Sequence, residues 1–476
     1  MTTDPATEDN QSAEISQTCT KSQESSDNIT EGGKDKLLIS IRDYVNDTTK
    51  KPQIGRVPSL LRESKNGCFD PLVVSIGPYH HGNPNLKAFE ELKIPIAQKF
   101  WHACENKLSI ELMYETVAME GERARECYEK GSACNDDELF NRIMFLDACF
   151  VLYVLCTNLQ EEEQNEVTER LVKSFYSVLR DLLLLENQIP LLVLKVLLKF
   201  RFRREKDQTP FKQKFPKPYI LMPPHSYTNA VENFLARMKG RSTTSGQEMN
   251  KWKLELDSSP HLLHLLREHF VSPFMHEDSN KSLLFEWESR RSVTELKSAG
   301  IHFKPSQTGN FTDVEFKSHL IYGTLTLPPL IVDDTTKSFL LNLVAYEKCP
   351  HGPSDLHITS YICLMASLIH HPDDVKELEK KRILVSYLGS DEKLFQLFDE
   401  ISKDLAPDSF SYAYANYQIE NHCQKKLPAW VQSWMVEEWM HKYFSSPWAF
   451  LAVLGAIIAL FLTAVQTYFT VFPRKT

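Results

Sequence analysis

Residues 445–473 contain no charged side chain, and the stretch PWAFLAVLGAIIALFLTAVQTYFTVF (447–472) is apolar almost throughout. About 20 residues of α-helix cross a hydrocarbon core ~30 Å thick, so this stretch predicts one transmembrane helix. Pro447 suits the first helical turn, where its missing N–H costs little. Trp448 and Tyr468 stand where interfacial aromatic belts form, and Arg474 and Lys475 end the span. Gly455 would let a second helix approach closely, although no glycine four residues away completes a G-x-x-x-G pair. Two other apolar runs fail the same test. Residues 143–156 are too few and include Asp147; residues 171–198 include Arg180, Asp181, Glu186 and Asn187 and are interrupted by Pro190. Both predict core helices of a soluble body.

The opposite end reads differently. Residues 1–35 are rich in Thr, Ser, Glu, Asp, Asn and Gln and nearly lack large apolar side chains. Such a segment cannot bury enough surface to offset its ordering entropy, so disorder is expected there. No signal-peptide pattern is present. A span followed only by residues 473–476 predicts a tail-anchored chain with its body in the cytosol, at the plasma membrane. Against that orientation, Arg474 and Lys475 follow the span whereas Lys442, Glu437 and Glu438 precede it. The sequons at Asn28, Asn46, Asn280 and Asn310 do not decide the matter.

Between the ends, apolar residues recur at i, i+3 and i+4 over 86–104, 110–130, 136–158, 163–185 and 189–203. A Lys-, Pro- and Ser-rich stretch at 204–259 predicts a long loop or linker. Helices are expected again at 261–270, 292–299, 335–347, 358–369 and 391–404, with short strands at 319–325 and 330–332. Residues 36–444 therefore predict a mainly α globular body with a few short strands. The formal charge of -9 lacks the basic footprint of a nucleic-acid binder. Ten scattered cysteines without a C-x-x-C pair fit reduced core thiols better than a disulfide framework or a zinc module. The bilayer and another protein are the expected partners, and no cofactor or metal is implied.

No nucleophile elbow, P-loop, dinucleotide fingerprint, H-E-x-x-H or kinase signature occurs. In LLLLENQIPLLVL, Pro190 must end or kink a helix near Ile189, and Glu186, Asn187 and Gln188 collect where freed backbone groups need partners. This reads as a capped kink between core helices. The functional alternative is a polar pocket around Glu186, joined by Asp147 and Asp181. His80 and His81 occupy a Gly/Pro turn after the apolar run 72–76, which reads as a strand leading into a turn. His261 and His264, with His269 beyond, share a helix face, but no further ligand completes a metal site. Asp333 and Asp334 stand before a helix as N-capping acceptors.

Several longer motifs occur in order: IGRVPSLLR (54–62), PLVVSIGPYHHG (71–82), LLLLENQIP (182–190), TELKSAGIHF (294–303), LPPLIVDD (327–334) and NLVAYE (342–347). With these and the C-terminal apolar stretch, the chain resembles the plant-specific domain-of-unknown-function family 247 from about residue 54 to 472. Where that family often has Asp-Gly-Cys-Phe, this chain has Asp147-Ala148-Cys149-Phe150; where an aromatic pair often follows ENQIP, it has Leu191-Leu192. The resemblance brings no catalytic residue set. It implies a membrane-associated plant protein, with relatives in grasses implicated as pollen-side determinants of self-incompatibility. A non-enzymatic recognition or signalling role is therefore expected. An unrecognised enzyme or a passive scaffold stands as the alternative.

Overall fold

The helix Asp137–Cys156 organises the first half of the fold. Phe140, Met144, Ala148, Cys149, Phe150 and Leu152 are wholly buried in it, because the helices Lys87–His102, Ile110–Ala118 and Leu191–Arg201 all pack on it. By length and composition it could cross a membrane, yet 67% of its apolar window lies inside the body. It is a core helix, as Asp147 within it already suggested.

The computed structural model describes residues 53–104, 109–129, 131, 134, 136–156, 165–201, 259–271, 291–307, 309–319, 322–408, 410–424, 455–456 and 458–467. The segment 1–35 and nearly all of 204–259 lie outside these residues. So do Trp448, Tyr468 and the sequon asparagines 28, 46 and 280. The described residues all fall within one compact unit.

Several expected helices are shorter or divided. The run 110–130 gives Ile110–Ala118 and Gly121–Arg125. Ser109 caps the first by accepting the Leu112 N–H, and Gly121 meets the Asn141 side chain too closely for a Cβ. The run 163–185 gives Glu166–Lys173, capped by Asn165, and Phe175–Asp181. Lys87–His102 stays helical across Pro95, whose missing N–H falls near the exposed Glu91 and Ile94, where water reaches the freed carbonyl.

The second half carries five short strands: β1 (Ile301–Pro305), β2 (Glu315–Ser318), β3 (Gly323–Leu327), β4 (Leu330–Val332) and β5 (Leu384–Ser386). In the first sheet β3 is central, parallel to β1 and antiparallel to β2; β4 and β5 form a separate parallel pair. Of the five, only β3 and β4 overlap the runs expected as strands, and all five are too short for alternation to mark them reliably. Around them lie the helices Val293–Ser298, Thr336–Lys348, His357–Leu368, Pro372–Lys380, Asp391–Ser402 and Ala413–Gln424. One continuous apolar core runs from Ile54 to Cys423 and joins both halves. The nine described cysteines are thiols rather than disulfides, and burial pushes Cys68, Cys149 and Cys349 upward, as expected of small core hydrophobes.

Of the predicted membrane span, the structure describes Gly455, Ala456 and the helix Ile458–Thr467. Ten residues rise about 15 Å, half of a hydrocarbon core. A helix is therefore present within the span, and the remaining residues of the span lie outside the described ones.

Candidate functional site

The helix Phe175–Asp181 stops eight residues before Ile189, earlier than Pro190 alone requires. Residues 182–190 form a wholly buried turn, and its carbonyl groups need partners away from water. Gln188 supplies them: its Nε2 donates to the carbonyls of Leu182 and Leu184, each at 2.8 Å. Its Oε1 accepts the Leu263 N–H at 3.0 Å, tying this turn to the helix Leu262–Phe270. From the other side Asn342 Oδ1 accepts the Leu185 N–H at 2.9 Å, while its Nδ2 donates to Cys68 O and Ser338 O.

The same turn holds the run 72–76. This run was expected as a strand, and no strand pairs with it. Its backbone groups go instead to side chains that imitate a ladder. Asp181 accepts the N–H groups of Leu72, Val73 and Val74, with distances of 2.8–3.1 Å to its two oxygens. Asn187 accepts the Ile76 N–H at 2.7 Å and donates to Val74 O at 3.1 Å. Asp147 accepts the Gly77 N–H at 2.8 Å. The expected strand does not form: residues 72 and 73 are bends, and the apolar pattern cannot say that the partner is a set of side chains.

Each acidic candidate is thus occupied. Asp181 also meets Arg180 at 2.9 Å, and Arg180 donates onward to Asp70 O and Gly67 O. Burial still pushes the Asp181 carboxyl upward against those bonds. Asp147 lies 2.5 Å from the buried ammonium of Lys93, which also meets Glu90 at 2.6 Å and donates to Ser75 O at 2.7 Å. Desolvation outweighs the Lys93 charge and raises Asp147 to about 6. Glu186 accepts the Val57 N–H at 2.7 Å and pairs with Arg62 at 2.8 Å; Arg62 in turn pairs with Asp70.

His80 and His81 flank this network. His80 Nε2 lies 3.7 Å from Glu186, and His81 Nδ1 lies 4.0 Å from Glu90. Desolvation lowers both imidazoles below their usual range, against the attraction of those carboxylates. Pro190, the last residue of the turn, is followed at once by the helix Leu191–Arg201, whose Leu191 N–H donates to Pro260 O.

The other candidates lie elsewhere. His261 caps the helix Leu262–Phe270, its Nδ1 accepting the His264 N–H at 3.2 Å. Its ring packs edge-on against Tyr346, whose hydroxyl bonds His264 Nδ1 at 2.8 Å. His269 lies beyond, beside Phe270. Among the described residues no group of three or more His, Cys, Asp or Glu is placed to hold a metal ion. Asp333 accepts from the N–H groups of Thr335 and Thr336 and from both hydroxyls, so the first of the acidic pair caps the following helix; Asp334 is exposed.

Five participants were missed: Lys93, Arg62, Asn342, and the paired Arg267 and Glu347. Arg267 is wholly buried against Glu347, with Asp355 as a further carboxylate partner. Glu347 accepts the N–H groups of Ile358 and Thr359, thereby capping the helix His357–Leu368. A signal for two of them existed. Lys93 sits among Phe89, Leu92, Ile96 and Ala97 on one helical face, and Asn342 interrupts the apolar run FLLNLVAY. Polar residues at apolar positions demand a buried partner.

A family model described as a plant protein of unknown function, DUF247, matches residues 54–462. Two UPF0481 proteins of Arabidopsis thaliana are each 26% identical to the chain. One matches over 472 residues, 90% of this chain and 90% of its own; the other over 491, 88% and 90%. No solved structure matches.

Proposed function

The chain belongs to the plant protein family of unknown function DUF247, and from that premise we propose that it is a membrane-anchored, non-enzymatic protein that recognises or signals to another protein. The observation that carries the anchoring is the helix Ile458–Thr467. Ile458, Leu460, Phe461 and Leu462 are 51–71% exposed. Three consecutive apolar side chains point around the helix in different directions, so no single covering surface would bury them all. The hydroxyls of Thr463 and Thr467 donate to the carbonyls of Ala459 and Thr463, at 2.7 and 2.8 Å, which satisfies them within the helix as hydrocarbon demands.

The non-enzymatic part is supported by the acidic residues around the ENQIP turn. Asp147, Asp181 and Glu186 each hold a backbone N–H and a cation, which are duties of architecture. A general acid or base needs an oxygen turned toward substrate, and these oxygens are engaged in holding the residue 72–77 run and the helix Ser59–Ser64.

The test is alkaline carbonate extraction of the full chain from plant membranes, followed by glycosylation mapping at Asn280 and Asn310. Retention in the pellet is expected; release into the supernatant would sink the anchor. Unmodified asparagines place the body on the cytosolic side, and glycans place it outside. Affinity capture from the same membranes should return a reproducible protein partner, and its failure would count against recognition.

A further inference from the structure

The helix Ala413–Gln424 turns an unusual face to solvent. Ala415, Ile419 and Cys423 are buried, and the helix packs on β2. On its other side Phe410, just before the helix, Tyr414 and Tyr417 recur at i, i+4 and i+7, exposed by 68%, 51% and 39%. A solvated helix carries charge on its outer face; here that face carries aromatic rings. Of the neighbouring charges, Glu420 is paired with Arg291 at 3.3 Å, and Lys425 and Lys426 follow in the sequence.

We propose that this aromatic face rests in the headgroup region of the bilayer entered by residues 447–472, so that the helix lies along the membrane surface. The inference rests on the anchored reading above and adds which face of the body meets lipid. Tyrosine favours this boundary because its ring is apolar and its hydroxyl stays hydrated. The chain keeps the encounter within reach. Residues 425–446 separate the helix from Pro447, a stretch that spans at most about 75 Å even when fully extended. Tethering on that scale keeps the local concentration of the face at the membrane high. The connecting sequence has the same chemistry, with Trp430, Trp434, Trp439, Tyr443 and Phe444 interleaved with Lys425, Lys426 and Lys442. Lysines beside aromatic residues suit an anionic lipid surface.

The test is photocrosslinking of the full chain in nanodiscs of phosphatidylcholine and phosphatidylserine. The probe is a phospholipid with a diazirine close to its headgroup, and adducts are mapped by mass spectrometry. Adducts are expected on peptides covering 410–424, falling at least fivefold in the triple variant Phe410→Ser, Tyr414→Ser, Tyr417→Ser. Adducts on residues 447–472 should persist in both proteins. The substituted positions are exposed, so the fold should hold, and an unchanged far-ultraviolet circular dichroism spectrum checks it. Adducts on 447–472 without any on 410–424 would overturn the inference and leave the anchor standing. Absence from both would remove the anchor as well.

Discussion

Gly77 lies so close to Gln188 that a Cβ at residue 77 would stand 2.6 Å from the Gln188 carbonyl oxygen. The contact joins two sequence motifs more than a hundred residues apart and sets how deeply the run 72–77 seats against the ENQIP turn. Tyr128 completes the joint, its hydroxyl donating to the same carbonyl at 3.0 Å.

Gly77→Ala should therefore be costly twice over. Its φ of +76° is left-handed, which costs an L-residue about 1–2 kcal/mol. The backbone clash adds a displacement that no rotamer relieves. Gly82→Ala is the control, with φ +80° but nothing within 4 Å of the added carbon. Denaturant unfolding should show a loss of roughly 1 kcal/mol for Gly82→Ala and at least about 3 kcal/mol for Gly77→Ala. Equal losses would show that the Gln188 contact is soft.

Asp181→Asn tests the side-chain ladder. The carboxylate receives three successive backbone N–H groups and faces Arg180. Asparagine keeps the volume but turns an N–H₂ toward donors and leaves Arg180 without its charge partner. A loss of about 3–5 kcal/mol is expected. Hydrogen exchange should accelerate first at Leu72, Val73 and Val74. Unchanged protection at those amides would mean that Asn187 and Asp147 hold the run without it.

These joints explain what was legible and what was not. The helices around Asp137–Cys156 could be read because apolar period and burial agree there. The break near Pro190 could be read because a missing N–H is a local fact. The partners could not: Asn187 bonds Ile76, 111 residues away, and Glu186 bonds Val57, 129 residues away. Nothing in local periodicity encodes such pairings. The run 72–76 shows the limit most clearly: its apolar pattern suggested a strand, whereas its backbone bends onto carboxylate and amide oxygens from distant residues.

Glu186 separates architecture from chemistry. Glu186→Gln keeps an acceptor for the Val57 N–H and loses the Arg62 ion pair, so about 1–2 kcal/mol of stability should be lost. Glu186→Ala leaves a buried N–H unsatisfied and should cost more, about 3 kcal/mol. Arg62→Ala should resemble the glutamine variant, because Arg62 is partly exposed. Partner capture by folded Glu186→Gln protein should equal the original. A selective loss of capture in that variant, with its fold intact, would give Glu186 a direct functional role.

Acid should act on two buried groups with opposite sign. His261 is wholly buried, and desolvation, helped by His264, lowers it to about 3. Between pH 6.5 and 3 the unfolded chain takes up that proton and the folded chain does not, so folding loses about 1.4 kcal/mol per pH unit as pH falls. Asp147 is raised from 3.8 to about 6. Between those values the folded chain binds the extra proton, so the Asp147 contribution is largest at low pH and is lost as pH rises toward 6. The two slopes oppose each other from about pH 6 to 4, and below that His261 acts alone. His261→Asn retains a capping acceptor and removes the titrating ring. Losing the Tyr346 contact lowers its stability at pH 7.5, yet its dependence on acid should flatten, gaining about 2 kcal/mol on the parent protein between pH 7.5 and 5. Asp147→Asn should steepen the dependence instead. Parallel stability curves for the parent and both variants would show that neither group titrates with the fold.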